Sequence, residues 1–380
     1  MGKSIVYIQD HYPNLVETFV RAEVNELIRR GYDVWVFANK RMQKNFSLCN
    51  HAEKIVAISS RKAIIERLTA LNPCYIHSHF ITECYKFAFP IAQQLKIPFG
   101  FTAHAYDLWH RKRRIEPEVI SVISKNPLCV AAVTIGSYHK EYLEWCGVPK
   151  HKIIIIPNSI NIKNLPTPRE KPPKRVRNII AVGRPVAKKG FSVAVDAMRL
   201  LNLRGYSKFN LEIVGGADDS KSIGRELLDQ ISGYSSIQAT GLISHEETLT
   251  KIKKADLLIA PSIVTENGDS DGIPTVIPEA MLLKVPVVAT NVASIPDLVI
   301  PHNTGFLARS GDPVSLANKI LEADILLKHP EKANTFLARA YIRAARHSVW
   351  LGIDTLLEYL VGERRIELKT KQHTSGVASP

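Results

Sequence analysis

Residues 165–177 read LPTPREKPPKRVR, with four prolines and no apolar periodicity. Proline removes the backbone donor and fixes φ, so this stretch can extend neither a helix nor a central strand. It divides the chain into residues 1–165, a linker at 166–177, and residues 178–347. Upstream, Ser4–Ile8 reads as a β-branched strand. It is followed by a helix over Glu17–Arg30 that carries Val20, Val24, Leu27 and Ile28 on one face and ends at Gly31. Asp33–Ala38, Cys74–His77, Phe99–Thr102, Val130–Thr134 and Ile153–Ile156 continue the strand series. Downstream come Asn178–Val182, Leu211–Val214, Ser236–Ala239, Leu257–Ala260 and Val285–Ala289. Ser244 and Glu247 form a capping-box pattern that opens one of the intervening helices. Continuous apolar strands with helical crossovers predict parallel sheets covered on both faces. The expectation is therefore an α/β protein of two Rossmann-like domains whose sheets face across a cleft. A last helix at about 348–363 is expected to pack back on the first domain, and a polar tail at 370–380 to be disordered.

A length of 380 residues suits two or three domains at roughly 150 residues each. No apolar run approaches the 18 or so residues of a membrane span. The N-terminal MGKSIVYIQD reads as a first strand and not as a signal peptide. Cys49, Cys74, Cys84, Cys129 and Cys146 are odd in number and lack C-x-x-C spacing, which points to reduced thiols in a cytoplasmic protein. Disulfide scaffolds, integral membrane helices and cysteine-rich zinc modules are excluded. The net charge of +14 is unevenly spread. Residues 1–165 hold 22 Lys+Arg against 13 Asp+Glu, whereas residues 178–380 hold 23 against 22. The run His110-Arg111-Lys112-Arg113-Arg114 is densest. A basic first half suits an anionic partner such as lipid headgroups, and equally a solvated face. No RNP, helix-turn-helix or aromatic-basic pattern accompanies it, so no nucleic acid is expected.

In open α/β sheets ligands bind beyond the carboxyl ends of the strands, which directs attention to the loops there. Gly183-Arg184…Lys189-Gly190 follows a strand and offers a guanidinium and an ammonium that could neutralise a diphosphate without a metal. Solvated loop cations are the other reading, and the loop alone does not separate the two. Gly215-Gly216 ends the next strand, where glycine permits close backbone approach. The stretch from Pro261 to Thr290, PSIVTENGDSDGIPTVIPEAMLLKVPVVAT, sets Asp271 and Glu279 eight apart. Pro274 reads as a first-turn residue, leaving amides near Asp271–Ile273 open to an anion. Carboxylates on one short segment beside Arg and Lys suit hydroxyl binding better than the paired acid and base of a glycoside hydrolase, which flank the bond from different elements. His77 and His79 could ligate zinc at a strand end, but satisfied strand histidines are the better reading.

The pattern G-R-x4-K-G, the acid-x7-Glu segment and EAM…PVVAT resemble the C-terminal domain of retaining GT-B glycosyltransferases of family 4 (group 1). HYPNLVETFVRAEVNELIRRGYDV, HSHF at 77–80, FTAHAYD at 101–107 and IPNSIN at 156–161 are similar to N-terminal segments of its colanic-acid and exopolysaccharide subgroup. The resemblance implies a hexosyltransferase-type enzyme in cell-surface polysaccharide synthesis, with a nucleotide-diphosphate sugar as donor and a glycan or lipid-linked acceptor. It implies that Arg184 and Lys189 hold the diphosphate, Glu279 the ribose and Asp271 the transferred sugar, with His104 lining that sugar. It further places Gly183, Gly216, Leu242, Gly272, Ile273, Pro274 and Thr275 against the donor, and Glu17 and Thr18 on a loop at the acceptor side. It implies retention of configuration with no cofactor and no divalent metal. The expected location is the cytoplasm, with peripheral contact to anionic membrane. Asp271 stands where most members carry Glu. The alternatives are an inactive nucleotide-sugar-binding scaffold of the same fold and a GT-B nucleotide-sugar epimerase.

Overall fold

The computed structural model describes residues 4–12, 18–40, 54–57, 60–112, 114–215 and 222–362. Seven strands form the first sheet: β1 (Ser4–His11), β2 (Asp33–Lys40), β3 (Lys54–Ala57), β4 (Tyr75–His79), β5 (Phe99–Ala103), β6 (Cys129–Thr134) and β7 (Ile153–Ile155). All pair in parallel, in the order β3-β2-β1-β4-β5-β6-β7. The second sheet holds β8 (Asn178–Val182), β9 (Asn210–Val214), β10 (Ile237–Thr240), β11 (Leu257–Ala260), β12 (Val287–Thr290) and β13 (Phe306–Ala308). Its order is β10-β9-β8-β11-β12-β13, again all parallel. The strand order reverses between β1 and β4 in one sheet and between β8 and β11 in the other. Those two switch points are where an open parallel sheet leaves a crevice for a ligand.

The central strands β4, β5, β6, β11 and β12 are buried along their full length. That burial follows from helices packed on both faces, and it is why their sequences read as unbroken apolar runs. Strands β3 and β13 are absent from the sequence reading. β3 is a four-residue edge strand that is largely exposed, so it carries no buried pattern. β13 has only three residues, too few to show a period.

Residues around the proline-rich stretch do not hang free between the sheets. Arg169 Nε donates to the Lys253 carbonyl at 2.5 Å and Val176 N to Asp324 at 2.9 Å, which ties the stretch to the second domain. The helix Val349–Gly362 returns to the first domain and lies on the helix Thr18–Arg29. Val349, Ile353, Leu356, Leu357 and Leu360 join the core that contains Val20, Val24 and Leu27. Each such side chain contributes at most about 1.5–3 kcal/mol. The half-exposed ion pair Arg30–Asp354 at 2.5 Å contributes about 1 kcal/mol or less, so apolar burial holds this helix in place.

Candidate functional site

The carboxyl ends of both sheets open onto one cavity of about 660 Å³. A larger hollow of about 820 Å³ lies at the opposite edge of the second sheet, where β8 and β9 begin at Asn178 and Asn210. The amino ends of parallel strands lack the crevice of a switch point, so the cavity between the sheets is the candidate site.

One wall comes from the second domain. After β8 the chain turns through a short 3₁₀ segment, Ala187–Lys189, and closes at Gly190 with φ 63°. A Cβ on Gly190 would come within 1.9 Å of the Pro261 carbonyl oxygen, so only glycine lets this loop press on the strand end beside it. The aliphatic stem of Lys189 lies over Gly183. Its Nζ reaches Asp271 Oδ2 at 2.9 Å, and Ser262 Oγ donates to the same oxygen at 3.0 Å. Lys188 Nζ pairs with Asp269 at 3.0 Å and stands 3.9 Å from Asp271. Burial raises the Asp271 carboxyl, but Lys189 and Lys188 outweigh it and hold the group below the usual carboxylate range. Asp271 is therefore an anion at neutral pH. Arg184 is exposed on the cavity wall. Glu279 lies in the helix Val276–Leu282 and is 4% exposed. His245 Nε2 meets its Oε1 at 2.9 Å, and that bond raises the histidine's pKa despite partial burial.

The facing wall comes from the first domain. His104 follows β5, is buried, and precedes the helix Ala105–Trp109. Its backbone N–H donates to Asp107 Oδ1 at 2.8 Å, and Ile81 N donates to the other oxygen of that carboxylate. The His104 ring continues a buried chain. His79 Nδ1 lies 3.2 Å from His104 Nε2, His79 Nε2 lies 3.0 Å from Glu23 Oε2, and Ser159 Oγ donates to Glu23 Oε1 at 3.3 Å. Burial, reinforced by neighbouring histidines, lowers the His104 pKa well below its ordinary value. A neutral ring at neutral pH can both accept and donate one hydrogen bond.

Arg184, Lys189, Asp271, Glu279 and His104 thus line one cavity, as do Gly183, Leu242, Gly272, Ile273, Pro274 and Thr275. Gly272 is pressed against the Ile135 and His139 side chains of the opposite domain, 2.2 and 3.0 Å from where a Cβ would stand. Pro274 is not in the first helical turn as expected. It precedes the first helical residue, Val276, by two positions and accepts the Ile277 N–H through its carbonyl. Thr18 is the first residue of a helix and not part of a loop. Gly216, Glu17, Cys49, Arg113 and the tail at 370–380 lie outside the described residues. His77 is satisfied by Tyr75 and Thr102, at 3.0 and 2.9 Å. Among the described residues no group of three or more His, Cys, Asp or Glu is disposed to hold a metal. Nor is any described helix long and apolar enough to cross a membrane.

Sequence reasoning missed His245, Glu23 and the link from His79 to His104. For His245 a signal existed. The capping box at Ser244 and Glu247 fixes where the helix starts, and a helix after a strand end starts at the cleft. For Glu23 there was none, because 56 residues separate it from His79.

Residues 16–164 match the family described as Glycosyltransferase Family 4, and residues 176–323 match Glycosyl transferases group 1. WcaL of Escherichia coli strain K12, a glycosyltransferase assigned to colanic acid biosynthesis, is 30% identical over 47% of this chain and 43% of its own length. The amylovoran biosynthesis glycosyltransferase AmsK of Erwinia amylovora is 30% identical over 47% of each chain. The chain thus spans about half the length of the curated relatives it matches. HepE of Anabaena, solved in complex with UDP, superposes with a TM-score of 0.77 at 16% identity, covering 95% of this chain and all of that one. At that identity the likeness speaks to fold, and the fold is GT-B.

Proposed function

Because the chain belongs to the family 4 (group 1) glycosyltransferases, we propose that it transfers a sugar from a nucleotide-diphosphate donor to a glycan or lipid-linked acceptor in surface polysaccharide synthesis. The observation that carries this reading is the meeting of two cations and two carboxylates on one wall with a neutral histidine on the other. WcaL and AmsK, both named for polysaccharide biosynthesis, support the pathway class, and the UDP complex of HepE supports the donor class.

Arg184 and Lys189 bind the diphosphate and stabilise the charge that grows on it as the glycosidic bond breaks. Glu279, braced by His245, receives the ribose hydroxyls. Asp271 pairs with Lys189 and accepts hydrogen bonds from the transferred sugar. His104 meets that sugar from the first domain. Configuration is retained, with the leaving diphosphate taking the acceptor's proton. The two cations occupy the role a divalent ion would otherwise have, so no metal or other cofactor is required. The protein works in the cytoplasm, at times against anionic membrane through its basic first half; binding to anionic vesicles that weakens with salt checks this.

The test is a melting-temperature screen of UDP, GDP and ADP with their sugars, followed by donor hydrolysis and transfer assays in EDTA. Stabilisation by one nucleotide and turnover of its sugar are expected. If no nucleotide stabilises the protein and no donor turns over, the proposal is lost. Binding without turnover would instead support a scaffold, and epimerised free donor an epimerase.

A further inference from the structure

The crevice at the switch point of the first sheet carries polar groups that the donor-side reading leaves unused. Gln9 lies near the carboxyl end of β1, and Glu83 lies in the first turn of the helix that follows β4, so the pair spans the point where the strand order reverses. Both line the cavity. Gln9 is 2% exposed and Glu83 7% exposed. Gln9 Nε2 and Glu83 Oε2 are buried with no hydrogen-bond partner among the described residues. Folded proteins pair nearly all such atoms, and an orphan beside a cavity points to a partner supplied from outside. Asp10 and His104 line the same wall. Burial first, and then Asp10, push the Glu83 carboxyl up to about 7 against the opposing pull of Lys86.

The two orphans have complementary chemistry. The Gln9 amide is a donor, and the Glu83 carboxyl oxygen is an acceptor at neutral pH and above. A sugar hydroxyl both donates and accepts, so neighbouring hydroxyls of one ring can satisfy both atoms. A phosphate cannot, because Glu83 and Asp10 would repel it. The donor's diphosphate has its own cations across the cavity at the β8–β11 switch point.

We propose that Gln9 and Glu83 form the acceptor subsite, holding neighbouring hydroxyls of the acceptor's terminal sugar at the β1–β4 switch point, opposite the donor. This rests on the transferase reading given above, whose acceptor class it narrows to one that presents a neutral sugar ring at its end.

The test reads sugar binding and nucleotide binding separately on the whole chain. Octyl glycosides of glucose, galactose and mannose are titrated by saturation-transfer NMR into the wild type and into Gln9→Leu, Glu83→Leu and Glu83→Gln. UDP, GDP and ADP are titrated into the same samples. Binding of at least one glycoside is expected, weakened about tenfold in both Leu variants and less in Glu83→Gln, with nucleotide affinity unchanged. Unchanged nucleotide affinity also shows that the variants are folded. If the wild type binds none of the three glycosides, or if all the variants bind them equally well, the subsite is overturned. If glycosides bind as expected but no nucleotide does, Gln9 and Glu83 remain a sugar-binding site, but the transferase reading falls and with it the site's role as acceptor subsite.

Discussion

Lys189 and Asp271 are joined at 2.9 Å, so each depends on the other for more than catalysis. Replacing Lys189 by Ala removes a diphosphate cation and also withdraws the nearest partner of a partly buried carboxylate. Loss of one transition-state contact of this kind costs about 100- to 1000-fold in kcat. Leaving a buried charge unpaired costs up to about 3–5 kcal/mol, and Lys188 at 3.9 Å offsets part of that. Lys189→Ala should therefore lower both kcat and the melting temperature, whereas Arg184→Ala, on the exposed side of the loop, should lower kcat alone. Steady-state kinetics and calorimetry on the two variants check the contrast. Glu83 provides a second test, through pH. Its folded pKa is raised to about 7 from an ordinary value of 4.5, so the folded chain binds a proton that the unfolded chain has released. The stability this confers is complete below the unfolded pKa and is lost as pH rises through 7. Relative to Glu83→Gln, the wild type should lose about 3 kcal/mol between pH 4.5 and 8, measured by urea unfolding. A difference that stays flat with pH would contradict it. That Arg184, Lys189, Asp271 and Glu279 line one cavity was legible in the sequence because each belongs to a short segment in which residue type and spacing are visible together, whereas their roles toward a donor come from the family resemblance alone. Gln9 and Glu83 were not, since what marks them is the absence of a partner after folding.

At the scale of elements, the loop after β8 shows how one backbone conformation sets the site. Gly190 combines φ 63° with a carbonyl 1.9 Å from where a Cβ would stand, and the positions before it carry Lys188 and Lys189. A left-handed φ costs a non-glycine residue about 1–2 kcal/mol before any clash is counted. Because the obstacle is backbone, relief requires the loop to move. Gly190→Ala should destabilise the fold by at least about 2 kcal/mol and weaken nucleotide binding, because both lysines shift with the loop. Gly205→Ala is the control, since its φ of 81° is similar but nothing lies within 4 Å of its Cβ position. That variant should lose stability and keep nucleotide affinity. The long buried strands and their crossovers could be read directly from apolar runs. β3 and β13 could not, because an exposed edge and a three-residue strand owe their existence to the neighbour they pair with.

Across the whole molecule, one set of contacts beside the cavity joins the two domains. Asp297 of the second domain reaches the start of the helix Ser137–Trp145 in the first, accepting from Ser137 N at 2.6 Å and from Ser137 Oγ at 2.5 Å. His139 Nδ1 meets Ser294 Oγ at 2.9 Å, and Arg111 N donates to the Asn267 carbonyl at 2.9 Å. A carboxylate at a helix start satisfies otherwise unpaired N–H groups and complements the helix dipole, worth about 0.5–2 kcal/mol. Asp297 supplies that cap from the other domain, so the contact is made only while the two domains stand together. Interfaces between domains are otherwise small and polar enough for relative motion to be the default. Asp297→Ala should therefore shift the chain toward open arrangements without unfolding either domain. Small-angle scattering should show a larger radius of gyration than for the wild type, with the circular-dichroism spectrum unchanged. A nucleotide sugar that bridges Arg184 and Lys189 on one wall and His104 on the other should draw the variant back to wild-type dimensions, at a higher ligand concentration. If the variant scatters as the wild type does without ligand, then closure depends on the apolar contact of Gly272 with Ile135 and His139, and not on the cap.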